Sequence, residues 1–402
     1  MEDKNSSAKY DGYNSKTLGN NYDHISQKVK DKITDNGGVM DVKAEKNGGQ
    51  ELKGVRAVFN SKESRDDFNA EIDKMKKQQK NTNKQSDKKE TNNMTEYLPE
   101  GLLINTAENR AAMSSAASLK DAAVRETVLE ARVRLCDREH RLHVDLGGIR
   151  GVIPKNEGAL GIEEGKVKDI AVISRVGRPV CFVVTAIKRD EEGKLYAELS
   201  RRMAQKKCVS EYIESLVPGD VIGARVSHID SFGVFCDIGC GVNALLPIDA
   251  VSVSRIPDPS VRFHNGQMIK AVVKSVDEYR RVTLTHKELL GTWSENAARF
   301  HTGETVPGII RSVESYGVFV ELTPNLAGLA EYDETVREGD TAAVYIKNII
   351  PERMKIKLVI VDHSEEKQRE PHEPVYFFNG THMDAFRYSP EGSLRTVETV
   401  FG

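Results

Sequence analysis

Ser231-Phe232-Gly233-Val234-Phe235-Cys236-Asp237, echoed by Ser315-Tyr316-Gly317-Val318-Phe319-Val320-Glu321, is the pattern on which the reading of this chain turns. Each copy reads as a turn entering a strand. Alternation puts Val234, Cys236 and Ile238 on one face and Phe235 with Asp237 on the other, so a large aromatic shares its face with a carboxylate. In the second copy Val318, Val320 and Leu322 point inward while Phe319 stands beside Glu321. An aromatic on a wet strand face, repeated, suggests a binding platform.

Around these two stretches the chain aligns with itself as three copies of a five-strand pattern, with Asp145, Asp237 and Glu321 at the matching outward acid after the second strand. In the middle copy the strands fall at 221–229, 234–238, 242–246, 268–276 and 281–285, with a turn-rich excursion around Pro257-Asp258-Pro259 before the fourth. The last copy repeats the order from Gly308 to about Val361 with a shorter excursion at Glu338-Gly339-Asp340, and the first, most divergent copy runs from about Val128 to Ser200. Five short strands suit a closed barrel. Connectors at 201–216 and 286–300 carry apolar residues at helical spacing, an Ala-rich stretch at 106–124 predicts a further helix, and Trp293 is expected to pack between domains.

The resulting domains are a Lys/Asn-rich arm (1–95), a helical lead-in (96–127), a divergent barrel (128–203), a middle barrel (217–287), a trimmed barrel (303–362) and a C-terminal tail (363–402). The arm has no sustained helical or alternating pattern and is read as disordered. The tail is charged and then aromatic, which suggests docking onto something.

The chain has 402 residues, 39% of them hydrophobic, and a net charge of −3, which weakens a nucleic-acid partner without excluding one, because single-strand binders also draw on base stacking. It shows no apolar run long enough for a bilayer and no signal peptide, so a cytoplasmic protein is expected, with no membrane partner. Five cysteines without a Cys-x-x-Cys pair argue against a disulfide framework and against a metal site. No phosphate loop, nucleophile elbow or cofactor motif is recognisable, so no enzyme and no cofactor is expected.

Binding single-stranded RNA on a small barrel needs aromatic planes and cations on one shallow face. Phe235 and Phe319 supply planes. Phe232 and Tyr316 fall on the core side by strand parity, and the glycines after them are expected to break the pleat and turn them outward. Arg281, oriented by Asp277, is the middle barrel's cation, and Lys355, with Lys357 beside it, is the weaker equivalent in the last barrel. In the first barrel His140 and His143 stand where the others have aromatics and read as a solvated pair, so that barrel is expected to bind RNA weakly or to contact protein.

The Ser-Phe/Tyr-Gly-Val-Phe copies, the Gly/Ala-Leu third strands and the Arg-Val-Thr-Leu-Thr ending resemble the repeated domain of the bacterial small-subunit ribosomal protein S1 family, over about Val128 to Val361. The resemblance implies an all-β fold of three tandem five-stranded OB-fold barrels joined by short helices, binding messenger RNA for the small ribosomal subunit. It places stacking aromatics at Phe232, Phe235, Tyr316 and Phe319 and the polar pair at Asp277 and Arg281. The chain departs from the pattern at Pro247 and Glu331, where the family commonly has histidine, and at Pro351, where it has Asp. The other readings are a free RNA chaperone or post-transcriptional regulator, and a protein-interaction scaffold.

Overall fold

Small hydrophobic residues at alternate positions, cut every few residues by glycine or Asp-rich turns, can bury one side of a strand only by closing the sheet on itself. The computed structural model describes residues 39–47, 50–58, 97–365 and 373–402, and it shows this closure three times. The N-terminal unit, 1–91, contains one antiparallel pair, β1 (Val39–Asn47) and β2 (Gln50–Val58), in the arm where no regular structure was expected. The rest of the arm lies outside the described residues.

The second unit, 92–402, opens with helices α1 (Ala107–Ala112) and α2 (Ala116–Val124), which break the predicted single helix in two. Thr106 and Ser115 cap them by accepting the Asn109 and Ser118 backbone N–H groups. The first barrel follows as β3 (Leu129–Cys136), β4 (Leu142–Asp145), β5 (Arg150–Ile153), β6 (Pro179–Arg189) and β7 (Leu195–Ser200), with α3 (Asp169–Ile173) before β6. Helix α4 (Arg201–Glu211) leads to the middle barrel: β8 (Val221–Asp230), β9 (Gly233–Gly239), β10 (Val242–Pro247), β11 (Met268–Val276) and β12 (Val282–Thr285). Helix α5 (Trp293–Ala297), held by a Thr292/Glu295 capping box, leads to the last: β13 (Thr305–Glu314), β14 (Gly317–Thr323), β15 (Leu326–Ala330), β16 (Thr341–Ile350) and β17 (Lys355–Ser364).

All three barrels close in the same way. The third strand runs parallel to the fifth, as in Leu245↔Thr283 and Leu329↔Lys357, and the other pairs are antiparallel. Each first strand carries a bulge at the same place (Val133/Leu135, Val226/His228, Ile310/Ser312), and so does each fourth strand (Val184/Ala186, Val273/Ser275, Ile346/Asn348). An extra residue bends and twists a strand, which is what five short strands need to meet edge to edge.

The second-strand acids depart from expectation. Asp145 is exposed, but Asp237 and Glu321 are buried, at 5% and 4% exposure. Both leave their own barrels outward and are then sealed by neighbouring chain. Asp237 accepts the N–H groups of Gly239, Gly241 and, at 2.8 Å, Glu100 of the lead-in. Burial and the adjoining Glu100 carboxylate push it up to about 7. The Glu100 side chain receives Arg201 of α4 through Nε at 2.7 Å and Nη2 at 3.1 Å. Burial raises its pKa, yet the Arg201 charge and hydrogen bond outweigh that and leave it below the ordinary carboxylate value. Glu321 takes Arg311 through Nε at 2.7 Å and Arg262, from the middle barrel's excursion, on the same oxygen. Leu322 is only half-buried, because the bulge between Glu321 and Thr323 shifts the alternation.

The tail folds back on the middle and last barrels. Tyr376, Phe378, Met383 and Phe401 gather over Val221, Val272 and Leu289 on the outside of the middle barrel, and Tyr388 joins the last barrel's core cluster with Trp293. Strands β18 (Ala385–Arg387) and β19 (Glu398–Val400) pair within it. The Lys270 N–H donates to the Tyr376 hydroxyl at 2.9 Å, that hydroxyl lies 3.3 Å from His286 Nε2, and His286 Nδ1 meets the Val251 carbonyl at 3.0 Å. With Nδ1 donating to a carbonyl, Nε2 is left to accept from tyrosine, so the chain of bonds is complete only for the neutral ring.

Burial holds the His286 pKa down, to about 4 from the ordinary 6.5. A depressed histidine stabilises the folded form fully above the unfolded value and loses that contribution as pH falls through the folded one. Tail docking should therefore weaken between about pH 6.5 and pH 4, read as a falling protection factor at the Lys270 amide after correction for the intrinsic exchange rate at each pH, and His286→Phe should remove this pH dependence.

Candidate nucleic-acid interface

The β8–β9 and β13–β14 turns place the aromatics. Phe232 and Tyr316 occupy the turns themselves and are 51% and 67% exposed, so they do face solvent. The glycines after them let the second strand press against the end of the third. A Cβ on Gly233 would lie 2.6 Å from the Leu246 carbonyl oxygen, and one on Gly317 2.5 Å from that of Ala330. Only a residue without a side chain fits there.

Phe232 packs edge-on against Phe235 with ring centroids 5.9 Å apart and planes at 87°, and Tyr316 meets Phe319 at 6.1 Å and 87°. The two barrels thus carry the same ring pair in the same geometry, with each inner ring half-buried. Across the outside of the middle barrel the register runs His228, Phe235, Leu245, Thr283. In the last barrel it runs Ser312, Phe319, Leu329, Lys357, and in the first Leu135, His143, Val152, Glu198. Phe235, Phe319 and His143 are therefore equivalent, and the cation that shares the aromatic's row is Lys357.

Arg281, in the turn just before β12, and Lys355, the first residue of β17, each lie two residues before that row. At about 4.8 Å between strands and 3.3 Å per residue, Arg281 sits roughly 12 Å from Phe235. Both cations are exposed. Asp277 holds Arg281 Nε at 2.6 Å and accepts the backbone N–H groups of Tyr279 and Arg281 at 2.9 Å each. These N–H bonds, before the guanidinium, keep its carboxyl below the ordinary range. The exposed ion pair adds little stability, so the value of Asp277 lies in shaping the turn and aiming the arginine. The same turn is built by Asp190 with Lys194 and, on a different hairpin, by Asp137 with Arg141. In the last barrel Pro351 replaces the aspartate, and the αL residue before Lys355 is Met354.

The first-barrel histidines are not a solvated pair. His143 is mostly buried and lies 2.8 Å from Asp137, which also takes Arg141 Nε at 2.7 Å, while His140 lies 3.2 Å from Asp169. A carboxylate holds each ring at a nitrogen edge, so both histidines are engaged within the barrel's own polar turns.

Sequence reading missed His228, whose ring lies 6.3 Å from Phe235 at 20°, nearly parallel. Parity from Val226 would turn residue 228 inward, and only the bulge turns it out. It also missed Tyr279, which lies 5.2 Å beneath the Arg281 guanidinium. Among the described residues no group of side chains could hold a metal ion and no helix is long and apolar enough to cross a membrane.

Closed five-stranded barrels with this strand order, carrying turn aromatics and fifth-strand cations on one outer face, are a tandem array of OB-type barrels. Residues 216–287, which form the middle barrel, match the family model described as the S1 RNA binding domain. The chain is 29% identical over 233 residues to the "Small ribosomal subunit protein bS1 homolog" of Bacillus subtilis, covering 57% of this chain and 58% of that one. Against the Bacillus cereus protein of the same name it is 27% identical over 267 residues, covering 64% and 66%. It spans roughly three fifths of the length of these relatives. Among solved structures, a multidomain protein with nucleic acid binding domains from Streptococcus pneumoniae matches 60% of this chain and 75% of its own at 15% identity, with a TM-score of 0.21 that bears on neither function nor arrangement.

An alanine at Gly233 or Gly317 would collide with the neighbouring carbonyl. Each variant should lose about 1–3 kcal/mol, seen as a lower urea midpoint for its barrel. Gly223→Ala, where an added Cβ meets nothing within 4 Å, should leave the midpoint unchanged or slightly raised.

Proposed function

We propose that this chain binds single-stranded RNA, messenger RNA above all, through the outer faces of its middle and last barrels, and that it serves translation as a ribosomal-protein-like factor of the small subunit. The observation that carries the reading is the duplicated ring pair. Two T-shaped pairs of the same spacing stand at equivalent positions in two barrels, each with a cation at the entry to the fifth strand. An unstacked base can lie against Phe235 or Phe319 while Arg281 or the lysines take a phosphate, which is the combination that single-strand binders use. The S1 match of the middle barrel and the names of the relatives point the same way. The first barrel, with its histidines engaged by carboxylates, is assigned a supporting or protein-contacting part.

Base stacking on an aromatic is worth about 1–3 kcal/mol by alanine substitution, or roughly five- to more than a hundredfold in affinity. Phe235→Ala and Phe319→Ala should each weaken binding of a labelled single-stranded RNA within that range by fluorescence anisotropy. Arg281→Gln and Lys355→Gln should each flatten the slope of log affinity against log salt by about 0.7. Unchanged RNA affinity in the double phenylalanine variant would assign these faces to a protein partner instead. Co-sedimentation with small subunits separates a ribosomal factor from a free regulator.

A further inference from the structure

The geometry points to Tyr345 as a second base-stacking station on the last barrel, at the far end of a lysine track that leads around the barrel from the Tyr316/Phe319 face. This rests on the RNA-binding reading above and extends it to the length of strand the barrel holds.

The three barrels differ at one equivalent outer position. On the fourth strand, just before its bulge, the residue facing the fifth strand is Val183 opposite Ser200, Val272 opposite Thr285, and Tyr345 opposite Val359. The first two are sealed. Val183 is 1% exposed in the core shared with Ala204 and Cys208 of α4, and Val272 is fully buried beneath Leu289 and the tail residues Met383 and Phe401. Tyr345 is 39% exposed, with Val359 at 41% and Val361 at 61% beside it. Strand five also differs, for β17 runs on past Val359 to pair as far as Ser364, whereas β7 and β12 end at the equivalent residue and turn into helix. The last barrel therefore keeps open a surface that the other two bury.

The charge between the ring pair and this opening is positive. Outward residues of β17 run Lys355, Lys357, Val359, Val361, with exposed Asp362 opposite Ala343 at the far end, and Lys347 follows Tyr345 on β16. All three lysines are exposed, and among the described residues none forms an ion pair with a carboxylate. Phe319 reaches Lys357 across two strands, about 10 Å; Val359 lies about 7 Å further along β17, and Tyr345 about 5 Å across from it. The track reads ring pair, cations, then a second ring on an apolar shelf. An apolar patch alone would suit a protein, but rings separated by unpaired ammonium groups match a strand of alternating bases and phosphates. The middle barrel, with Thr283 in the place of Lys357 and Val272 in that of Tyr345, can hold only the short end of this path.

The test is the length dependence of binding. Full-length protein carrying Phe232→Ala and Phe235→Ala, which confines the paired-ring stacking to the last barrel, is titrated with oligouridines from about four to about twelve nucleotides, within the range one OB-type barrel covers. Adding Tyr345→Ala should leave the shortest oligomer's affinity unchanged and weaken the longest by about fivefold or more, while Tyr345→Phe retains it. Equal affinity of Tyr345→Ala and parent at every length overturns the inference. If Phe319→Ala still weakens binding in that case, the RNA reading itself stands; if it does not, both fall. Loss of small-subunit co-sedimentation in Tyr345→Ala with unchanged RNA affinity would make this a protein-docking face and overturns the inference as well. An unchanged thermal midpoint for Tyr345→Ala shows that the affinity change is not loss of fold.

Discussion

Asp237 and Glu321 are carboxylates pointing away from their own barrels, and the arrangement of the second unit depends on how they are sealed. A buried carboxylate without partners costs several kcal/mol, so neighbouring chain must supply donors. For Asp237 the donors come from its own turn and from Glu100, which in turn binds Arg201 in α4, so the lead-in, the linker helix and the middle barrel meet at one charged cluster. For Glu321 they come from Arg311 of its own barrel and Arg262 of the preceding one. Removing one partner from such a buried pair typically costs about 3–5 kcal/mol. The barrels are joined by directional bonds between fixed atoms, which set their relative orientation more narrowly than apolar contact would.

That orientation decides which surfaces stay open. Helix α4 covers the outside of β6, and the tail covers β8 and β11 around Val221 and Val272. Among the described residues the faces built on Phe235 and Phe319 are left partly exposed, and on the last barrel the opening extends to Tyr345. The aromatic tail residues thus serve as an internal cover. Tyr388 illustrates this, donating to the Asn325 carbonyl at 2.6 Å while Asn325 itself donates to the Lys287 and Gly291 carbonyls of the linker.

Much of this was legible because short-range rules govern it. Alternation set the inward residues of β9 and β14, and the glycine after each turn aromatic marked the pleat break that exposes Phe232 and Tyr316. Asp277 and Arg281 are four residues apart on one turn, so their pairing needed no tertiary information. Reading failed at the bulges and at the seams. His228 faces outward only because of an extra residue in β8, and His143 is occupied only because Asp137, on the neighbouring strand's turn, reaches it. Asp237 and Glu321 look solvated along their own strands and are buried by residues 59 and 137 positions away.

By itself the sequence determined three closed five-stranded barrels, the identity of the paired aromatics and the fifth-strand cations. Periodicity, turn chemistry and side-chain type act over a few residues, and those are written locally. The tertiary structure alone decided which outward faces survive as surface, which carboxylates become buried joints between barrels, and that the tail packs on both the middle and last barrels, sealing Val272 while leaving Tyr345 exposed. Burial of a side chain that points away from its own barrel depends on whatever distant segment packs there, and strand alternation carries no information about that.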